Sequence, residues 1–354
     1  MKKHTVFITG AAGYVGAMLC EQFSGRDDIE KIIGLDKEPE PDFLAKNAKV
    51  EWITANTSDG SWQARVRAAK PDIIVHTAWQ IREIYGNHPL TWKWNIDGSD
   101  AVYDFAFAEP SVERLVDFST VSSYGAFADN SVDHLFTEDE PFRKTDYLYA
   151  EEKRICEEHL EERYQKSDKR VTVVILRPAA ITGPRGRFQR VRFGLQATLA
   201  GQMKGGVYSL VSAMVSFVPV TPKWLRQFIH EDDVTDIVAL AAFGPKPAKG
   251  YDAFNICPPG ESVRGADMAK AVGKKVLPVY PWMVRIAFFV FWHLTRGKIP
   301  TGKGAWKGYS YPIAVDGSKL TRVLGYQYRV PSLSAFVSTK GRYEYSVPEN
   351  ERRA

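Results

Sequence analysis

Tyr149 and Lys153 stand four residues apart in a segment rich in Glu, Lys and Arg, so on a helix they share one face. A free tyrosine titrates near pH ~10 and is a poor base at neutral pH. An ammonium a few ångströms away favours the phenolate and makes the phenol a usable proton acceptor. Upstream, a hydrophobic run delivers Ser119, Thr120 and Ser122 at its end. Hydroxyls there can donate to a carbonyl oxygen or an alkoxide. Taken singly, each pattern has a plainer reading, an exposed i,i+4 pair in one case and turn-forming serines in the other.

A second constellation opens the chain. The β-branched run 5–9 turns at once into Gly10, Gly13 and Gly16, with Ala12, Tyr14 and Val15 inside the same turn. Gly10 permits a tight strand-to-helix turn, Gly13 lets a pyrophosphate approach the backbone, and Gly16 lets the helix lie close to the sheet. The helix N-terminus then offers free N–H groups and a positive dipole end to phosphates. Asp36 follows Gly16 by twenty residues, at the end of a second apolar run. An acid there can accept hydrogen bonds from an adenosine ribose and repels a 2′-phosphate, which favours NAD over NADP. Lys37 beside it softens that preference.

These residues need strands to carry them. Apolar runs at 5–9, 31–35, 50–54, 73–76, 114–118 and 171–176 alternate with helical patterns. Such alternation implies right-handed crossovers and an α/β, doubly wound parallel sheet, with ligands at the C-terminal strand ends. The expected division is 1–178 plus about 226–257 for this domain. A smaller, discontinuous C-terminal substrate lobe takes 179–225 plus about 258–335, and 336–354 is a tail. Residues 228–243 are expected to return to the sheet as one helix, which His230 and Asp233 fasten.

At 354 residues the chain can bury a large core. A net charge of +5, from 47 basic and 42 acidic residues, is too mild for a nucleic-acid protein. Cys20, Cys156 and Cys257 lie too far apart for a disulfide framework or metal spacing, and read as small buried hydrophobes. The first strand starts so early that no room is left for a signal peptide, so a cytoplasmic setting is expected. No run approaches the ~20 apolar residues of a membrane span. The nearest, 282–294, contains Arg285 and reads as an amphipathic helix packed on the second lobe. Flanking Arg296, Lys298, Lys303 and Lys307 leave shallow membrane contact as the lesser alternative.

The motifs occur in a telling order: the glycine turn, Asp36, then His76-Thr77-Ala78, Asn95, the 119–125 hydroxyl cluster, Tyr149 with Lys153, and Arg177-Pro178. In this order the chain resembles the extended short-chain dehydrogenase/reductases, the NAD-dependent epimerase/dehydratase group, over roughly residues 4–330. The resemblance implies a Rossmann domain that binds NAD. Its cofactor contacts would include Asn56 and Thr57 at the adenine, Thr77, Ala78 and Trp79 after the fourth strand, Asn95, and Arg177, Pro178 and Ala180. Asn56 stands where the group usually has an acid. Counting back from Tyr124, the group's catalytic hydroxyl falls on Thr120, with Ser119 and Ser122 as fallbacks.

In that scheme Tyr149 is the general base, Lys153 lowers its pKa and holds the nicotinamide ribose, and Thr120 bonds the reacting oxygen. Val121 and Ser122 replace the acids of the group's dehydratases and decarboxylases. What remains is a nucleotide-sugar epimerase or a plain alcohol/ketone oxidoreductase, with a non-catalytic dinucleotide-binding protein as the third reading. Ser122 and the basic Arg185 and Arg187 are the candidate substrate contacts, arginine suiting a diphosphate. A homodimer through the Tyr149 helix and the helix before the hydroxyl cluster is also implied.

Overall fold

The computed structural model describes residues 2–168, 170–186, 217–271, 273–338 and 340–348. Strands β1 (His4–Thr9), β2 (Ile29–Asp36), β3 (Val50–Thr54), β4 (Ile73–His76), β5 (Arg114–Phe118) and β6 (Thr172–Pro178) fall where the apolar runs lie. Further on come β7 (Ala180–Thr182), β8 (Phe217–Val220), β9 (Leu225–Arg226), β10 (Phe228–His230), β11 (Tyr251–Ile256), β12 (Val263–Arg264) and β13 (Lys275–Pro278). The main sheet has the order β11-β6-β5-β4-β1-β2-β3, and every pairing in it is parallel.

Both faces of this sheet are covered, so its strands are apolar throughout rather than alternating with polar residues. Val6 and Ile8 face one core, with α1 (Tyr14–Ser24) and α6 (Glu231–Phe243). Phe7, between them, faces the other core, with α2 (Gln63–Ala69), α4 (Gly98–Ala108) and α5 (Leu148–Lys166), the short α3 (His88–Trp92) preceding α4. Each fully buried Ile, Leu or Phe contributes about 1.5–3 kcal/mol. Helix α5 is polar by composition, and its buried stripe runs through Lys153, Cys156, Glu157, Leu160 and Tyr164 at helical spacing. All three cysteines are free and buried. A hydrogen bond between His159 and Asp100 (3.0 Å) and an ion pair of Asp104 with Arg163 (2.7 Å) tie α4 to α5.

Three segments depart from expectation. The helix foreseen over 228–243 begins only at Glu231, because Phe228–His230 pairs in parallel with β7. His230 caps it, its Nδ1 accepting from Asp232 N–H at 3.2 Å, and buried Asp233 accepts from the Tyr326 hydroxyl at 2.6 Å. Val218, Val220, Trp224, Val263, Met268 and Ala269 form a separate apolar cluster, but of the apolar residues on Pro281–Leu294 only Phe288 is buried. Lastly, the region read as a tail buries Tyr343 at 1% exposure in the core that holds α1.

Candidate active site

The glycine turn leaves β1 between β2 and β4, where the strand order reverses. Gly10 has φ of 70°, and a Cβ on it would lie 2.6 Å from the Ala78 nitrogen. A Cβ on Gly16 would lie 2.1 Å from the Gly10 carbonyl oxygen. No other residue fits at either position, and the backbone cradle stays open for a phosphate. Asp36 reaches back to this turn, accepting from Ala12 N–H and Glu38 N–H at 3.0 Å each. Burial pushes its carboxyl above the ordinary range, against these hydrogen bonds.

Two cavities meet at the turn. The smaller, about 240 Å³, is lined by Ala12, Asp36, Lys37, Asn56, Thr57 and Ala78. The larger, about 590 Å³, is lined by Tyr14, Val15, Gly16, Thr120, Ser122, Tyr149, Lys153, Pro178 and Ala180. Gly10, Gly13, Thr77 and Trp79 line both. The two cavities together hold an acid at one end, glycines where they meet, and the phenol, amine and alcohol at the other.

Lys153 is 4% exposed, donates to the Phe118 carbonyl oxygen at 2.6 Å and stands 3.8 Å from the centroid of the Trp79 ring. Burial lowers its pKa, while Asp117, Cys156 and Glu157 oppose the shift. Tyr149 meets Trp79 edge to face at 6.4 Å. Thr120 Oγ1 accepts from Ser122 N–H at 3.1 Å, which leaves its own hydroxyl hydrogen for a ligand oxygen. Ser119 lines the same cavity, with its hydroxyl donating to buried Glu157.

Beneath these groups lies a buried polar layer. Ser99 Oγ donates to the Asn95 carbonyl oxygen at 2.6 Å, so it accepts from His76 Nε2–H at 2.9 Å. His76 Nδ1 then accepts from the Thr9 hydroxyl at 2.7 Å. Both contacts suit a neutral ring, and burial, helped by the Lys153 charge, pushes its pKa down to about 3. Asp117 accepts from the Tyr103 hydroxyl at 2.8 Å, and burial raises its carboxyl to about 6.

Several expected contacts turn elsewhere. Asn95, in a π-helical turn, is committed to the Gln80 backbone (2.7 and 3.1 Å) and to Glu152 (2.6 Å), so it shapes the loop after β4 from behind. Asn56 stays on the cavity wall, but its Oδ1 accepts from Ser58 N–H at 3.0 Å and caps a short turn. Arg177 pairs with buried Glu157 at 2.7 Å and lines neither cavity. Arg185 is 4% exposed and lies 3.7 Å from Glu21, off both cavity walls. An acid across the core has claimed each arginine. Arg187 lies outside the described residues. Lys37 forms an ion pair with Glu38 at 2.9 Å.

Other contributors escaped the sequence reading. Glu231, fully buried, accepts from the Tyr14 hydroxyl, from Arg185 N–H at 3.0 Å and from Gly186 N–H at 2.8 Å, joining the first helix to the chain leaving β7. Arg226 and Lys307 line the large cavity. The Arg226 Nε is buried with no hydrogen-bond partner among the described residues. The acid opening a helix at Glu231 was a visible signal, whereas no spacing marks Arg226 or Lys307.

A model of the NAD dependent epimerase/dehydratase family matches residues 6–257. Among solved structures, the chain resembles the Bordetella bronchiseptica enzyme WbmG in complex with NAD and UDP at 22% identity and TM-score 0.68, over 94% of this chain and 93% of that one. It resembles dTDP-glucose 4,6-dehydratase from Bacillus anthracis in complex with NAD at 15% identity and TM-score 0.68, over 98% of each chain. It also resembles UDP-glucose 4-epimerase from Thermotoga maritima with UDP-glucose at 18% identity and TM-score 0.66, over 94% and 97%. At these identities the neighbours speak for the fold. A comparison with curated proteins finds no match. The glycine cradle, Asp36 and the Tyr149–Lys153 helix lie within the matched residues, and the chain belongs to the NAD-dependent epimerase/dehydratase family.

Proposed function

We propose that the chain is an NAD-dependent nucleotide-sugar epimerase-type enzyme acting by hydride and proton transfer at a sugar carbinol. One observation carries this reading. Thr120, Tyr149 and Lys153 line a single cavity whose described wall bears three cations, Lys153, Arg226 and Lys307, and no carboxylate. Lys307 is paired with Asp146 at 2.6 Å behind that wall, which leaves Arg226 and Lys153 as the cations facing the cavity, a setting that suits an anionic substrate such as a sugar diphosphate. Neighbours crystallised with UDP and UDP-glucose support the substrate class.

NAD, when bound, supplies the hydride acceptor and donor. Tyr149 takes the carbinol proton as the carbon is oxidised and returns it on reduction. Lys153 holds positive charge beside the phenol, and the Thr120 hydroxyl donates to the reacting oxygen. Asp36 and the glycine turn hold the dinucleotide. A net alcohol or ketone oxidoreductase is the second reading, favoured by the apolar part of the same wall, Ile81, Met268, Ile313 and Phe336.

Native mass spectrometry of the purified protein, followed by proton NMR and 340 nm absorbance with UDP-sugars, tests the proposal. Retained NAD and a growing epimer without net absorbance are expected. Stoichiometric NADH would select the oxidoreductase. No turnover across nucleotide sugars and ketones would overturn both readings.

A further inference from the structure

The Pro281–Leu294 helix turns an apolar face outward: Trp282 is 60% exposed, Ile286 55%, Phe289 65% and Leu294 77%. Met283 and Val290 widen the same face. At 100° per residue these six side chains cover one side, and Phe288 anchors the other. An exposed apolar surface of this size marks an interaction site.

Charge identifies the occupant. From 268 to 315 the sequence holds eight Lys or Arg and no Asp or Glu, and Lys307 among them is paired with an acid, Asp146 at 2.6 Å. Lys275, Arg285, Arg296, Lys298 and Lys303, around the helix and at its ends, are exposed. A second copy meeting the first through this face would bring one such cationic stretch against another. No helix of the described residues is long and apolar enough to cross a membrane. A helix with a broad apolar face and a cationic border has the form of one lying in the headgroup region of an anionic bilayer.

We propose that the Pro281–Leu294 helix docks the protein on anionic phospholipid surfaces, its apolar face entering the interface and its flanking cations meeting the headgroups. It takes up the lesser alternative named from the sequence, since of this helix's apolar residues only Phe288 is buried, and it stands independently of the sugar assignment.

The test is co-sedimentation of the full chain with vesicles of phosphatidylcholine alone and of phosphatidylcholine mixed with phosphatidylglycerol. Binding at least about tenfold stronger to the mixed vesicles, weakened by salt, is expected. The double variant Ile286→Glu/Phe289→Glu loses about tenfold or more of that binding, with far-UV circular dichroism and melting unchanged, because both side chains are exposed. Fluorescence quenching of the wild-type tryptophans by brominated mixed vesicles needs no variant and is expected to be strong. Absence of binding and quenching, or binding unaffected by the double variant, overturns the proposal. So does a halved solution mass in the double variant when the wild type binds no vesicles, which would assign the face to a second copy.

Discussion

The Lys153 ammonium lies 3.8 Å from the centroid of the Trp79 indole while donating to the Phe118 carbonyl oxygen at 2.6 Å. The ring face favours the cation, and burial disfavours it. Trp79→Leu removes the favourable partner and lowers the lysine pKa further. Expected are a fall of about 3- to 30-fold in kcat/KM and an alkaline limb of the pH–rate profile displaced to lower pH. An unmoved limb would separate Trp79 from the charge on Lys153.

Tyr149→Phe keeps the ring that meets Trp79 and removes the phenolic oxygen. Turnover is expected to fall by about 10²- to 10⁴-fold. Native mass spectrometry is expected to show NAD retained as in the wild type. Near-full turnover with NAD bound would remove Tyr149 from the base role.

Asp36→Ser removes the carboxylate that ties β2 to the glycine turn through Ala12 N–H. It also removes the charge that repels a 2′-phosphate. NAD affinity is expected to fall by roughly tenfold or more while the NADP to NAD ratio rises, as read by fluorescence titration.

Gly16→Ala places a methyl 2.1 Å from the Gly10 carbonyl oxygen, a backbone atom with little room to yield. A loss of about 1–3 kcal/mol in urea unfolding is expected, together with weakened NAD binding as the turn opens. A variant as stable as the wild type would mean that the helix can slide along the sheet.

His76 is neutral in the fold with its pKa near 3, whereas an unfolded histidine titrates near 6.5. Between these values the unfolded state binds more protons, so the His76 contribution to stability falls as the pH drops. Asp117, raised to about 6, runs the opposite way: its contribution is lost as the pH rises from its ordinary carboxylate value through 6. Comparing wild type with His76→Gln isolates the first effect. Their stability gap is expected to narrow by about 2 kcal/mol from pH 7 to pH 5 in urea melts. An unchanged gap would mean that His76 is already charged in the fold.

Much of this was written locally. The glycine turn, the acid closing the second strand and the Tyr149–Lys153 helix can be read because each depends on neighbours a few residues away. Alternating apolar runs implied the parallel sheet, since strands buried on both faces must be apolar throughout. The parallel strands then place the glycine turn after β1 and the hydroxyl cluster after β5 at the same, C-terminal end of the sheet.

Partnership across the core is where local reading stopped. Arg177 is expected at the cofactor and Arg185 at the substrate, yet Glu157 and Glu21 hold them. Asn95 lies close to the site in space but points at Gln80 and Glu152. Trp79 is expected only as a cofactor contact after β4, and the tertiary fold alone sets its ring against the Lys153 ammonium. The amino-acid sequence alone determined the strands, the cofactor turn and the order of the reactive residues, because hydrophobic period and glycine sterics act over short distances. Tertiary structure alone decided which charges are spent on the core and which face the cavity, because a buried charge is stable only beside a partner that can lie a hundred or more residues away.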